Sequence, residues 1–190
     1  MDNDVAAGNT SSTLGHLALG LTLLAFGLGG TGVIDNVAAT DAAGLATWVG
    51  GVTLFLVGLL ALRAGGTREG TAYTALGAFW FTWGTAVGGG ASADAVGVFL
   101  LLWALLALTL TLAASGGGLF GQGVYGLLFV ALLLLGTGAL ADNGGLGKAG
   151  GWIAAVAGLL AWYGATAAVA GWPTALRRHR ASDGSAPATS

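Results

Sequence analysis

The sequence reads as an all-α polytopic membrane protein, a bundle of six transmembrane helices. Six uncharged apolar stretches occupy most of its 190 residues: Leu14–Ile34, Ala42–Leu62, Thr71–Gly89, Ala95–Ala114, Leu119–Ala141 and Ala149–Gly171. Each matches the roughly 20 helical residues needed to cross a hydrocarbon core of about 30 Å. Only 7% of the chain is charged and 55% is hydrophobic, whereas a soluble domain carries about 25% charged residues. Too few charges remain to coat a water-facing surface. Proline is scarce (2 residues) and glycine abundant (37), a pairing that favours unbroken helices in close approach.

The connections justify each element in turn. Met1–Ser12 is polar and lacks the basic region and cleavage site of a signal peptide, so the first span is expected to be retained. Asp35 and Asp41 separate spans one and two, and Arg63, Arg68 and Glu69 separate two and three. Asp94 precedes span four, Asp142 and Lys148 precede span six, and Arg177, Arg178 and Arg180 follow it. Five basic residues on one side against Lys148 on the other predict cytoplasmic termini by the positive-inside rule. The expected organisation is a cytoplasmic segment 1–12, a membrane domain 13–173 and a tail 174–190, basic and then disordered.

Span three carries the clearest pattern. Thr74, Ala78, Thr82 and Thr85 fall within about 80° of one another at about 100° per residue, opposite Tyr73, Leu76, Trp80 and Trp83. Either face suits close helix packing, and either suits a solute path. Trp152 and Trp172 sit near span ends, where interfacial tryptophan belongs. Trp80 and Trp103 sit near mid-span and should point into the bundle, because hydrocarbon offers the indole N–H no acceptor. Gln122, the only amide in the spans, suits an interhelical hydrogen bond. Gly27-Leu28-Gly29-Gly30-Thr31-Gly32 spells GxGxxG but lacks the preceding strand of a nucleotide site. Helix packing is the better reading.

Enzymatic constellations are missing. His16 and His179 are the only histidines, there is no cysteine, and no carboxylates pair within the membrane. The expectation is therefore no catalysis, no metal, no cofactor and, at a net charge of −2, no nucleic-acid partner. His16 suits an interfacial position and is a candidate pH-responsive group. Without an intramembrane carboxylate relay, a transported acid would most simply carry its own proton, or its anion would pass through a narrow pore of hydroxyls, backbone N–H groups and apolar constrictions.

Several landmarks resemble the acetate uptake transporter family. Thr71-Ala72-Tyr73-Thr74-Ala75-Leu76-Gly77-Ala78-Phe79-Trp80 is similar to that family's T-A-F-x-x-Y-G-x-F-W segment in span three. Trp103, Gln122 and Gly150-Gly151-Trp152-Ile153, with Gly158, Ala161 and Tyr163, fall at the family's later landmarks. Where the family has N-P-A-P-L-G, this chain has Thr10-Ser11-Ser12-Thr13-Leu14-Gly15. Both prolines give way to hydroxyl residues able to cap a helix. The resemblance implies an apolar pore constriction of Phe, Tyr and Leu from spans one, three and five. Leu19, Leu76 and Leu128 stand at those positions here.

The same resemblance implies a plasma-membrane channel or permease for acetate-like monocarboxylates, surrounded by lipid and assembled as a hexamer. It places Ala161 beside the path, and the residue chemistry of the spans adds Thr74, Trp80 and Gln122 as candidate neighbours of the solute. The resemblance also aims the aromatic face of span three at the pore, whereas local chemistry alone nominates the threonine face. Two rival readings are a six-span channel for a neutral solute such as urea or an amide, and a non-transporting structural or regulatory membrane protein.

Overall fold

The computed structural model describes residues 3–35, 37, 39–116 and 119–171, with side chains from Ser12 onward in the first helix. The side chains of Thr10 and Ser11, together with Trp172, His179 and the tail 174–190, lie outside the described residues. Six long helical segments follow in order: α1 (Asn3–Thr31), α2 (Ala43–Arg63), α3 (Thr67–Gly88), α4 (Ala93–Ala113), α5 (Leu119–Leu140) and α6 (Gly144–Ala170). No strand occurs among the described residues.

The helices outrun the apolar stretches at several ends. α3 begins at Thr67 and takes Arg68 and Glu69 into its first turn, and α6 begins at Gly144 and includes Lys148. α1 begins at Asn3, so Thr10–Thr13 lie within it, and the helix-capping role expected of them is not theirs. Real caps are found elsewhere. Ser92 accepts the Ala95 N–H at 3.3 Å ahead of α4, and Asn143 Oδ1 accepts from Gly145 and Leu146 ahead of α6. Gly32 and Gly171, both at φ 68°, end α1 and α6 in the left-handed conformation that favours glycine.

Five of the six helices are long and apolar enough to cross a membrane: all but α3. The six helices answer to the six stretches expected, and the reason α3 falls short is compositional. α3 spends its length on Thr, Gly and Trp rather than Leu, and it can do so because much of it faces protein. Tyr73, Leu76, Phe79, Trp80 and Trp83 are all buried. The other helices show the opposite economy, with Trp48, Phe55, Leu60, Leu102, Leu105 and Val156 exposed on the outside. Those side chains are stable in lipid and would not be in water.

Each helix packs against its chain neighbours, and α6 returns onto α1, so the six form a closed up-and-down ring. Glycine sets the close seams. A Cβ on Gly20 would stand 2.7 Å from the Trp162 nitrogen, one on Gly158 would stand 2.6 Å from that of Leu24, and one on Gly27 would strike the Ala155 backbone. GxGxxG is thus part of the α1–α6 contact, as its sequence setting suggested. Gly51, Gly58, Gly77 and Gly84 do the same between α2 and α3, and Gly97 and Gly136 between α4 and α5. The α3–α4 seam is wider and is bridged by rings instead. Phe79 stacks on Phe99 at 5.6 Å and meets Trp103 at 5.5 Å.

Candidate functional site

The interior of the ring is lined by bulky side chains from α1, α3 and α5, which run parallel, and by smaller ones from α4 and α6. On α1, Leu19, Leu23 and Phe26 follow helical spacing and face inward, while Gly20 and Gly27 turn to α6. On α3, Tyr73, Leu76, Trp80 and Trp83 face inward, while Gly70, Gly77 and Gly84 turn to α2. On α5, Tyr125, Leu128 and Leu132 belong to the same buried cluster, with Ala157 and Ala161 from α6. Leu19, Leu76 and Leu128 are 0, 2 and 1% exposed, respectively. Ala161 is buried in the same cluster.

The two faces of α3 separate cleanly. Thr82 and Thr85 are exposed on the outside, and Thr74 lies against Gly58 of α2, where a Cβ on that glycine would strike its hydroxyl. The aromatic face is the inner one. Thr74 therefore belongs to a helix seam rather than to the ring interior. Its Oγ1 is buried without a hydrogen-bond partner among the described residues, whereas Thr22, Thr47, Thr85, Thr109, Thr111 and Thr137 each donate to a carbonyl one turn back.

Trp80 is fully buried, edge-on to Phe26 at 5.3 Å and to Trp83 at 6.0 Å. Its Nε1–H has no acceptor among the described residues. The partner expected for a mid-span indole is thus not supplied by protein. Facing it, α2 is π-helical over Ala46–Thr53, a local widening often found at functional positions. Gly50 in that segment lies against both Trp80 and Thr22, and a Cβ there would stand 2.9 Å from the indole. Trp103 is only half-buried and fills the α3–α4 seam. Gln122 is half-buried at the start of α5, and no hydrogen bond of its amide is found among the described residues.

A polar group adjoins the leucines on the side of the α1, α3 and α5 N-termini, and sequence reasoning missed it. His16, Tyr73 and Tyr125 each precede a leucine of the triad by three residues, about one helical turn. The Tyr73 hydroxyl donates to the Ser12 carbonyl at 3.0 Å and lies 2.6 Å from His16 Nδ1, which is itself 2.8 Å from the same carbonyl. Gly15 lets the Tyr73 ring lie directly on α1, since any Cβ would enter the ring. Ser12 and Gly15, from the segment at residues 10–15, thus hold Tyr73, while Leu14 points outward. The shared offset of three residues was the available signal.

A closed ring of apolar helices with a bulky-lined interior and a greasy exterior defines a polytopic membrane protein. Residues 3–175 match the GPR1/FUN34/yaaH family. The chain belongs to that family, which bears out the resemblance read from its motifs. It is 30% identical over 167 residues to the succinate-acetate/proton symporter SatP of Escherichia coli, covering 82% of this chain and 88% of that one. It is 29% identical to the glyoxylate pathway regulator of Yarrowia lipolytica over 83% of this chain, but spans only 62% of that longer protein. In three dimensions it resembles the bacterial acetate channel SatP, with a TM-score of 0.77 and 28% identity, covering 84% of this chain and 91% of the other.

Proposed function

We propose that the chain conducts acetate-like short monocarboxylates across the plasma membrane, through a path inside each six-helix ring. The observation that carries this reading is the buried triad Leu19, Leu76 and Leu128, contributed by three parallel helices. The likeness to the acetate channel and symporter supports the solute class. An aliphatic constriction excludes strongly hydrated ions by dewetting and passes a small acid in neutral form. Beyond it, the unpartnered Trp80 N–H offers the solute a hydrogen bond, and Ala161 keeps the passage open. Gln122 guards the approach on α5. The proton travels with the acid, for the spans hold no carboxylate relay.

In this reading the chain has no catalytic activity, both termini are cytoplasmic, and the subunits assemble as a hexamer in lipid. The positive-inside distribution of Arg63, Arg68 and the tail arginines supports the orientation. Purified protein in liposomes should pass acetate and reject chloride, glycerol and urea. Functional vesicles without acetate flux would remove the proposal, and urea flux independent of pH would favour a neutral-solute channel.

A further inference from the structure

We propose that His16 is the proton donor that neutralises the carboxylate immediately before the leucine constriction, and that Tyr73 is the residue that positions it. This rests on the monocarboxylate reading above. A carbonyl oxygen only accepts hydrogen bonds, so His16 Nδ1, 2.8 Å from the Ser12 carbonyl, carries its hydrogen in this arrangement. The Tyr73 hydroxyl sends its own hydrogen to the same carbonyl and takes a share of the Nδ1–H at 2.6 Å. The two rings meet edge to face at 88° with centroids 5.7 Å apart, which holds the imidazole plane. Nδ1 is thereby committed, and Nε2 is the atom left to gain or lose a proton. His16 is half-buried and stands one turn from fully buried Leu19.

The position suits the chemistry. An unpaired carboxylate entering an apolar constriction pays a desolvation penalty of several kcal/mol or more, and the neutral acid avoids most of it. At His16 the imidazolium Nε2–H bond breaks and a carboxyl O–H bond forms, leaving neutral imidazole and neutral acid. The acid moves on past Leu19, Leu76 and Leu128, and the imidazole regains a proton from water on its own side. One proton and one carboxylate therefore cross together. The titratable and charged groups on the surrounding helices are Tyr73, Glu69 and Arg68 of α3, Tyr125 of α5, Arg63 at the end of α2, and Tyr163 of α6. Glu69 and Tyr125 lie within electrostatic reach of Tyr73, while Tyr163 stacks on Phe120 at 6.0 Å. The only lysine, Lys148, lies at the other end of the ring beside Gly32.

The test is acetate flux into liposomes holding the full chain, measured across pH 5–8 at a fixed concentration of neutral acetic acid. Wild-type flux should vary with pH under that constraint, through His16. His16→Gln should lower it by about tenfold and leave the remainder following neutral acid alone. Unchanged flux and pH profile in His16→Gln would overturn the inference while leaving acetate transport standing; absent flux in the wild type would strike the transport reading itself. The unsubstituted side chain gives a second readout that does not depend on a variant folding. With His179→Gln, His16 is the one remaining histidine, and its imidazole ¹⁵N resonances should respond to acetate at Nε2 with Nδ1 staying protonated. No response, or a response at Nδ1, would overturn it. Tyr73→Leu removes both the hydroxyl and the ring edge that hold the imidazole plane, so the His16 ¹⁵N resonances should broaden while the Ser12 carbonyl keeps the tautomer; sharp, unshifted resonances would remove Tyr73 from the positioning role.

Discussion

Trp80 concentrates the question of what the ring interior is for. Its N–H is buried without an acceptor among the described residues, and a buried unsatisfied donor costs about 1–3 kcal/mol. Phe keeps a ring in place and removes the donor. Trp80→Phe should therefore leave stability in detergent unchanged or raise it by up to about 1 kcal/mol, while acetate flux falls several-fold. Equal flux in the variant would end the solute-contact role. At the constriction, Leu128→Ala should widen the passage and admit urea or glycerol, read as swelling of vesicles. Its selectivity holding at wild-type level would show that the triad does not form the barrier. Among these residues, the sequence exposed Trp80 through its mid-span position. It did not expose His16 and Tyr73 as a pair, because 57 residues separate them and only the folded ring brings α1 against α3.

Helix–helix contacts in lipid draw on close packing rather than on hydrophobic expulsion, so the glycine seams decide whether the ring assembles. Gly27 of α1 and Gly158 of α6 sit where a Cβ would meet backbone of the opposite helix. Gly27→Leu or Gly158→Leu should destabilise by about 3 kcal/mol or more, as overpacking against backbone does, and should abolish a monodisperse peak in detergent. Gly88→Leu on α3 is the matched control, because nothing lies within 4 Å of its Cβ position. Equal damage from all three would mean that helix flexibility, not contact, is what glycine supplies. The existence and number of long helices followed from the charge-free stretches. Their ends did not, since Arg68, Glu69 and Lys148 are carried into helices whose first turns can present charges to water or headgroups.

With no native cysteine, the orientation of the ring is open to single-cysteine labelling. A thiol at Arg68 should react with an impermeant reagent only from the cytoplasmic side, and one at Ala91 only from the opposite side. The reversed pattern would invert the assignment and put the His16 mouth outside. The exposed Trp48, Phe55 and Leu102 leave ample outer surface for lipid or for neighbouring subunits. Native mass spectrometry should find six copies together. A monomer at every detergent concentration would remove the hexamer and leave each ring working alone.

Charge-free segments of bilayer length already commit this chain to apolar surroundings and to helices, because unpaired backbone groups are too costly in hydrocarbon. Family membership was equally legible, since short motifs on the third and sixth spans survive in linear order. Which face of α3 turns inward could not be read the same way. Threonine and aromatic faces are both compatible with burial, and the choice falls to the glycines that draw α2 onto one side and leave Tyr73, Leu76 and Trp80 to fill the centre. The polar group around Ser12, His16 and Tyr73 likewise exists only once the ring closes, because hydrogen bonds between distant segments depend on how helices cross and leave no periodic mark on any one of them.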